Sequence, residues 1–178
     1  MNITVYLAAY DGKDPMFEKA VRELGTWIAK SGNQLVYGGS KQGLMGHLAE
    51  SAINAGGTAI GVEPQFFIDN EYQYDNLTKL IITKDIEERK RKMIELGDAF
   101  IAFPGGTGTL DEITEVIAKV SLKQMTAPCI IYNLNGYYDY FKAFLKHMTD
   151  MGLSSEKRQE GIYFADNLAQ IKEILGLV

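Results

Sequence analysis

Cysteine and proline are scarce in this sequence of 178 residues, which contains one cysteine and four prolines. A lone cysteine, Cys129, excludes an internal disulfide and any metal site built from cysteines. The few prolines form no linker-like stretch, and no internal repeat is present. We therefore expect one domain covering residues 1–178.

Basic residues are outnumbered as well. Lys plus Arg number 18 against 23 Asp plus Glu, a formal net charge of -5. A chain this acidic has no general attraction for nucleic acid or anionic lipid, although a local basic pocket is compatible with it. No apolar run is long enough to span a bilayer, and the first residues lack the basic start of a signal peptide. We expect a soluble cytoplasmic protein without nucleic-acid or membrane partners.

Glycine, in contrast, is abundant, and most of the 18 glycines cluster beside short apolar runs. Such clusters are typical of turns between strands and helices. The apolar runs are continuous and do not alternate with polar residues, which suits strands of a parallel sheet covered on both faces. Strands are predicted at Ile3–Ala9, Gln34–Tyr37, Thr58–Val62, Lys79–Thr83, Ala99–Phe103 and Cys129–Tyr132.

Helical periodicity occupies the segments between these runs. Apolar residues recur with the helical period after Phe17, Leu44 and Ile113, and two more helices are predicted near 138–148 and 167–175. This alternation predicts an α/β fold, a single doubly wound domain whose mostly parallel sheet is flanked by helices. Ligands bind at the carboxyl ends of the strands in such a sheet, so the loops that follow strands are candidate sites.

The segment 103–112 ends a strand, passes through three glycines and begins a helix. Glycines let backbone N–H groups approach an anion, and a helix N-terminus carries partial positive charge. The alternative is a plain tight turn in which Thr109 and Glu112 form a capping box. The loop lacks the lysine of a P-loop, and Asp111 replaces the last glycine of a dinucleotide fingerprint, which disfavours NAD. Candidate phosphate-binding residues are Gly105, Gly106, Thr107, Gly108 and Thr109.

Glu112 follows this loop directly, where its charge would repel a phosphate bound at the glycines. The arrangement makes chemical sense if the phosphate meets the glycines while Glu112 reaches an attached sugar. A carboxylate there can bond to ribose hydroxyls, stabilise an oxocarbenium-like transition state or activate water.

A charged run, 84–93, is predicted to begin another helix, with Asp85 and Glu88 as its N-cap pair. The helical angle places Ile86 and Met93 on its buried face, with Arg89 and Lys90 beside that face. Arg89 and Lys90 are therefore candidates for a pocket. The alternative is an ordinary charged helix whose aliphatic stems lie along the core.

Other candidates carry weaker signals. Gly39 and Met45 belong to a second glycine-rich turn after a strand, which is either a ligand contact or a structural turn. Glu71 is a candidate second pocket carboxylate or an exposed surface residue. The two histidines, His47 and His147, have no metal-ligand spacing, so no metal site is predicted.

Three segments together resemble the LOG (Lonely Guy) family, and the resemblance runs from the first strand to at least residue 152. It also includes Asn133 and Gly136-Tyr137-Tyr138. The aromatic cluster Tyr137-Tyr138 with Tyr140-Phe141 we otherwise interpret as packing or as part of a subunit interface. The three segments are Tyr37-Gly38-Gly39 with Gly43-Leu44-Met45-Gly46, Glu88-Arg89-Lys90 with Met93, and Pro104-Gly105-Gly106-Thr107-Gly108-Thr109 with Glu112.

The resemblance implies a Rossmann-like fold and a homodimer with the site near the subunit interface. It implies hydrolysis of the N-glycosidic bond of nucleoside 5′-monophosphates, either cytokinin riboside 5′-monophosphate or AMP, to free base and ribose 5-phosphate. Arg89 and Glu112 match the family's catalytic pair, Lys90 matches a substrate-binding position, and the 105–109 turn matches the phosphate loop. No cofactor is implied. The alternative is a non-catalytic carrier of a nucleotide or phosphorylated cofactor on the same fold.

Overall fold

The computed structural model describes residues 1–177, in which seven strands form one sheet with every neighbouring pair parallel. The order across the sheet is β4-β3-β2-β1-β5-β6-β7. The strands are β1 (Asn2–Tyr6), β2 (Gln34–Tyr37), β3 (Thr58–Pro64), β4 (Lys79–Thr83), β5 (Ala99–Ala102), β6 (Cys129–Tyr132) and β7 (Ile162–Ala165).

Helices follow most of the strands, so the predicted α/β alternation and doubly wound sheet are confirmed. In residues 1–177 the helices are α1 (Pro15–Lys30), α2 (Gly43–Asn54), α3 (Gln65–Ile68), α4 (Ile86–Leu96), α5 (Thr107–Ser121), α6 (Asp139–Asp150), α7 (Glu156–Gln159) and α8 (Leu168–Ile174), with a 3-10 turn at Leu134–Gly136. None of them, within the described part of the chain, has both the length and the apolar character of a membrane span.

Three strand predictions match in both bounds, and the others differ where the site is built. Strand β1 ends at Tyr6, because the residues that follow it turn away to line a cavity. Strand β3 continues beyond Val62 to Pro64 and so includes Glu63. Strand β7 was not predicted, because a four-residue apolar run cannot be assigned by periodicity alone.

The strand order reverses at β1, whose two neighbours in the sheet are β2 and β5. The carboxyl ends of β1 and β5 lie side by side, with Tyr6 paired to Ala102. The chain leaves these two ends in opposite directions across the sheet, which opens a crevice in doubly wound folds. The glycine-rich loop after β5 therefore lies at the position where this architecture binds ligands.

Two hydrophobic layers cover the sheet, one on each face. Ile3 and Val5 of β1 pack with α1 and α2, whereas Tyr6 faces the opposite layer with Met93 of α4 and the apolar residues of α5. Successive strand residues point to opposite faces, so a sheet buried on both sides needs the continuous apolar runs that the sequence contains.

Candidate active site

Helix α5 begins at Thr107 with Gly106 as its N-cap, and no side chain caps it. The alternative interpretation, a capping box of Thr109 and Glu112, does not hold, because the helix begins two residues before Thr109 and both side chains are buried within it, at 3% and 6% exposure. The first N–H groups of a helix have no partner within the helix. In the absence of a side-chain cap, those of α5 remain available to an anion.

Two tyrosines at the start of α6 hold the loop that precedes α5. The hydroxyl of Tyr138 donates to the carbonyl oxygen of Phe103 at 2.8 Å, and the hydroxyl of Tyr137 donates to that of Gly105 at 2.6 Å. The sequence suggested packing or a subunit interface for these residues. Their hydroxyls also fix the two ends of the loop before the helix begins.

Arg89 and Glu112 meet above the end of the sheet and form a buried ion pair. The distance between Arg89 Nη1 and Glu112 Oε1 is 3.2 Å, and the side chains are only 10% and 7% exposed. Arg89 Nε also donates to the carbonyl oxygen of Val62 at 3.0 Å. This second contact attaches the guanidinium to β3 through a different nitrogen.

Burial raises the pKa of Glu112, and the positive charge of Arg89 acts in the opposite direction. A carboxyl with a raised pKa accepts a proton more readily than an ordinary glutamate. Gly38 faces the guanidinium so closely that a Cβ at this position would collide with Arg89 Nη2. The glycine at position 38 is therefore required by the position of Arg89.

Helix α4 presents this arginine one turn into the helix. Asp85 caps the helix as the sequence predicts, accepting a hydrogen bond from Glu88 N at 2.8 Å. The prediction that Ile86 marks the buried face is wrong, since 36% of Ile86 is exposed. Ile86 lies in the first turn directly after edge strand β4, beyond which the sheet has no strand to cover it. The buried face consists of Arg89 and Met93.

Lys90 lies away from the ion pair. Its Nζ contacts Asp111 Oδ2 at 2.8 Å and Glu115 Oε2 at 3.2 Å, so it bridges α4 to the outer face of α5. Glu71 is exposed and has a left-handed backbone, with φ of 57°, outside both cavities described below. Lys90 and Glu71, like the candidates Gly105 and Gly39, do not line the cavities that contain Arg89 and Glu112.

Two cavities adjoin at the ion pair. The loop cavity has a volume of about 250 Å³. It is lined by Leu7, Ala8, Ala9, Tyr10, Met45, Arg89, Gly106, Thr107, Gly108, Thr109 and Glu112. The candidates at 106–109, Met45 and the Arg89–Glu112 ion pair are thus brought together around one space.

The aromatic cavity, of about 350 Å³, lies beside the loop cavity. The two share Ala9, Tyr10, Met45 and Arg89, so an elongated ligand could occupy both. The rings of Phe67 and Tyr72 stand edge to face in this second space, with centroids 5.8 Å apart. The aromatic cavity is lined by Ala9, Tyr10, Gly38, Ser40, Gln42, Met45, Glu63, Phe67, Tyr72 and Arg89.

Backbone hydrogen bonds attach the second glycine turn to the segment that carries Tyr72. Lys41 N donates to the carbonyl oxygen of Tyr72 at 2.8 Å, and Tyr74 N donates to that of Gly39 at 2.8 Å. Gly39 itself has a φ of +87°, a conformation that favours glycine. It lies next to the aromatic cavity, against the side chain of Glu63.

Glu63 is the site residue that sequence reasoning missed. Its side chain lines the aromatic cavity although the residue is only 1% exposed, and burial raises its pKa to about 7. The sequence did contain a signal, because Glu63 is a carboxylate placed directly after the apolar run 58–62. A charged residue at the carboxyl end of a buried strand is a reason to extend the strand and to suspect a site.

Residues 1–177 contain no group of three or more His, Cys, Asp or Glu side chains that could hold a metal ion. His47 is on α2 and His147 on α6. Cys129 is buried in β6, and burial raises the pKa of its thiol to about 12.

Comparison with known proteins identifies relatives of the whole fold. Residues 45–175 match a protein family described as "Possible lysine decarboxylase". A cytokinin riboside 5′-monophosphate phosphoribohydrolase from Rhodococcoides fascians is 40% identical over 147 residues, covering 82% of this chain and 74% of that protein. One from Arabidopsis thaliana is 32% identical over 173 residues, covering 97% and 76%.

A solved structure extends the comparison of the fold. The molybdenum cofactor binding protein from Rippkaea orientalis superposes with a TM-score of 0.72 at 20% identity, covering 98% of this chain and 94% of that one. At this identity the similarity concerns the α/β architecture alone.

Proposed function

The chain belongs to the LOG family, which carries the description "Possible lysine decarboxylase", and we propose that it hydrolyses the N-glycosidic bond of nucleoside 5′-monophosphates. The products are a free base and ribose 5-phosphate. The observation that carries the proposal is the buried Arg89–Glu112 pair, which lines the same cavity as the uncapped N-terminus of α5.

The phosphate binds at the start of α5 in this proposal. The N–H groups of the first turn and the helix dipole favour a dianion there, and Thr107 and Thr109 add hydroxyl donors. Gly106 and Gly108 leave open space, since a Cβ at either position would meet no atom within 4 Å. A phosphate oxygen can therefore approach the backbone closely.

Glu112 separates a hydrolase from a simple phosphate-binding protein. A carboxylate lining the loop cavity weakens the binding of an anion. A protein that only binds phosphate therefore gains nothing from it, whereas a hydrolase can use it in the reaction. From the second turn of α5, Glu112 reaches toward a sugar attached to the phosphate. There it stabilises positive charge that develops at C1′ and accepts the proton of the attacking water.

Arg89 holds Glu112 in position and orients the substrate between the two cavities. Its guanidinium stays charged at all working pH values, so it balances the carboxylate and donates hydrogen bonds without giving up a proton. The water oxygen bonds to C1′, the bond from C1′ to the base breaks with its electron pair going to the base, and phosphate remains attached to the sugar throughout. The chemistry consumes one water and needs no redox partner.

The base then occupies the aromatic cavity, which adjoins the loop cavity through Arg89 and Met45. Phe67 and Tyr72 provide ring surfaces for a purine. Adenine nucleotides are the proposed substrate class, including cytokinin riboside 5′-monophosphate, which appears in the names of the relatives above. The "lysine decarboxylase" description has no support in the sequence, where nothing marks a lysine that would bind pyridoxal phosphate.

The test incubates the purified protein with AMP and with isopentenyladenosine 5′-monophosphate and separates the products by chromatography. Free base and ribose 5-phosphate are expected from the wild type. Glu112→Gln should lower kcat by about 10²- to 10⁴-fold, the usual contribution of a positioned acid or base. Glu87→Gln is the matched control, because Glu87 is an exposed carboxylate on α4 outside both cavities.

The same experiment addresses the carrier alternative. Nucleotide that binds to wild type and Glu112→Gln alike and remains intact in both would contradict the hydrolase proposal. That result would favour a carrier of nucleotides or phosphorylated cofactors on this fold.

A further inference from the structure

Glu63 has a buried carboxyl oxygen without a partner. Oε2 lies out of contact with solvent and makes no hydrogen bond, and the whole residue is only 1% exposed. Leaving a buried polar group unpaired costs free energy, so buried carboxyls are normally bonded to a donor. Glu63 nevertheless lines the aromatic cavity. A ligand in that cavity would supply the missing partner.

The surrounding groups fix the side chain without pairing it. A Cβ at Gly39 would lie 3.0 Å from Glu63 Oε2, so the glycine turn packs directly against the carboxyl. The charged and titratable groups facing it are Arg89 from α4, Tyr37 from β2 and, across the cavity, Tyr72. Arg89 acts on Glu63 through its charge but directs its closest carboxylate contact to Glu112, at 3.2 Å.

Hydrolysis of a purine nucleotide creates a need that Arg89 and Glu112 do not meet. The leaving purine takes the electron pair of the broken bond and departs more readily when a ring nitrogen is protonated. Arg89 does not release a proton at working pH, and Glu112 is occupied with water. A neutral carboxylic acid beside the base would supply that proton.

We infer that Glu63 is the general acid of this reaction, donating its proton to a ring nitrogen of the base as the bond to C1′ breaks. The inference rests on the proposed function. The electron pair of the bond goes to the base, the proton of Glu63 moves to the base, and the base leaves neutral. The attacking water gives its proton to Glu112, and solvent returns a proton to Glu63 and removes one from Glu112.

The protonation state of Glu63 suits this role. Burial raises its pKa to about 7, so a large fraction of the carboxyl is protonated near neutral pH. An ordinary glutamate, with a pKa of 4.5, would be ionised at that pH and unable to donate. The geometry of the cavity identifies the residue, and the raised pKa makes the step feasible.

The decisive experiment compares two substrates whose leaving groups differ in their need for a proton. AMP requires protonation of adenine, whereas 4-nitrophenyl ribofuranoside 5-phosphate releases a nitrophenolate that departs without one. Glu63→Gln should lower kcat for AMP by about 10²- to 10⁴-fold with a small change in KM. The same variant should hydrolyse the nitrophenyl substrate within a few-fold of the wild type.

Several outcomes overturn the inference. Unchanged turnover of AMP by Glu63→Gln would remove the need for an acid at this position, and an equal loss on both substrates would make Glu63 a structural residue. The expected result, by contrast, is that Glu112→Gln loses both activities whereas Glu63→Gln keeps the nitrophenyl activity, which distinguishes the role of Glu112 from that of Glu63. If the wild type hydrolyses neither substrate, the proposed function fails first and this inference fails with it.

A pH profile of the wild type provides a test that needs no variant. The rate with AMP should fall as pH rises through about 7, because Glu63 loses the proton that it donates. The rate with the nitrophenyl substrate should lack this descending limb. A descending limb of equal size with both substrates would contradict the assignment.

Discussion

The hydroxyl of Tyr137 donates a hydrogen bond of 2.6 Å to the carbonyl oxygen of Gly105, across 32 positions of the chain. Tyr137 lies just before α6, and Gly105 belongs to the loop that positions the first turn of α5. The contact makes the geometry of the proposed phosphate site depend on an element that follows β6. The ligand site is therefore supported from outside its own loop.

Replacing Tyr137 by phenylalanine should weaken phosphate binding more than it weakens catalysis. The variant loses one hydrogen bond, a contribution of about 0.5–1.5 kcal/mol. We expect KM for AMP to rise about 2- to 10-fold, with kcat changed less. Steady-state kinetics measure the effect, and Tyr163→Phe on the distant strand β7 is the control. A lower kcat at unchanged KM would contradict this account of the loop.

Gly38→Ala should inactivate the protein by displacing Arg89. The added methyl group would collide with the guanidinium, and Arg89 can yield only by leaving Val62 or Glu112. Because a misplacement of about 1 Å can cost 10²-fold in rate, kcat/KM for AMP should fall at least by about that factor.

A second glycine variant separates this effect from a general loss of stability. Gly32 lies in a turn with φ of +72° and open space around it. Gly32→Ala should lower the free energy of unfolding by about 1–2 kcal/mol through backbone strain while leaving turnover unchanged. Equal loss of activity in both variants would show that stability, and not the position of Arg89, limits the rate.

The stability of the protein should depend on pH through Glu63. Its pKa rises from the ordinary 4.5 to about 7 on folding, so the folded state binds more protons between these values. The free energy of unfolding therefore falls as pH rises from about 4.5 to about 7 and stays low above that range. By proton linkage, the free energy of unfolding falls by on the order of 3 kcal/mol across this pH range.

Glu63→Gln removes this proton linkage. The free energy of unfolding of the variant, minus that of the wild type, should therefore be larger at pH 8 than at pH 4. Urea unfolding at both pH values measures the difference, and Glu87→Gln controls for the loss of one exposed carboxylate. A difference between wild type and Glu63→Gln that is the same at both pH values would show that Glu63 has no raised pKa in the folded state.

Homodimer formation, which the family resemblance implies, should depend on the exposed apolar face of α6. Tyr140 and Phe144 are 92% and 55% exposed on this helix, and Leu153 beyond its end is 82% exposed. Phe144→Glu should shift the molar mass in light scattering from dimer to monomer, because a charge would be buried in the contact. Leu122→Glu, at the far end of α5, is the control. A wild type that is monomeric would refute this prediction.

Much of the architecture could be predicted because its signals are local. Continuous apolar runs predicted six of the seven strands, and the capping residue Asp85 marked the start of α4. The glycine loop before α5 was identified because a sharp turn into a helix requires glycines at adjacent positions. The pairing of Arg89 with Glu112 was suggested by a family resemblance, and the ion pair at 3.2 Å agrees with it.

The remaining features depend on residues that are distant in the chain. Lys90 had the same sequence signal as Arg89, yet it contacts Asp111 and Glu115 because it lies one helical step further around α4. The position of Glu63 directly after the apolar run 58–62 is a signal for a site, but a surface glutamate after a short strand has the same local pattern, so the burial of Glu63 was evident only in the folded chain.

The sequence by itself determined the order of strands and helices, the parallel sheet and the glycine turn at the start of α5, because backbone preferences and hydrophobic periodicity act over a few residues. Only the tertiary structure decided which charged groups are buried and which remain without a partner. Those properties arise when β3, α4 and α5 pack together, as Val62, Arg89 and Glu112 come into contact. Burial then changes the proton affinity of Glu63, and no local pattern records that change.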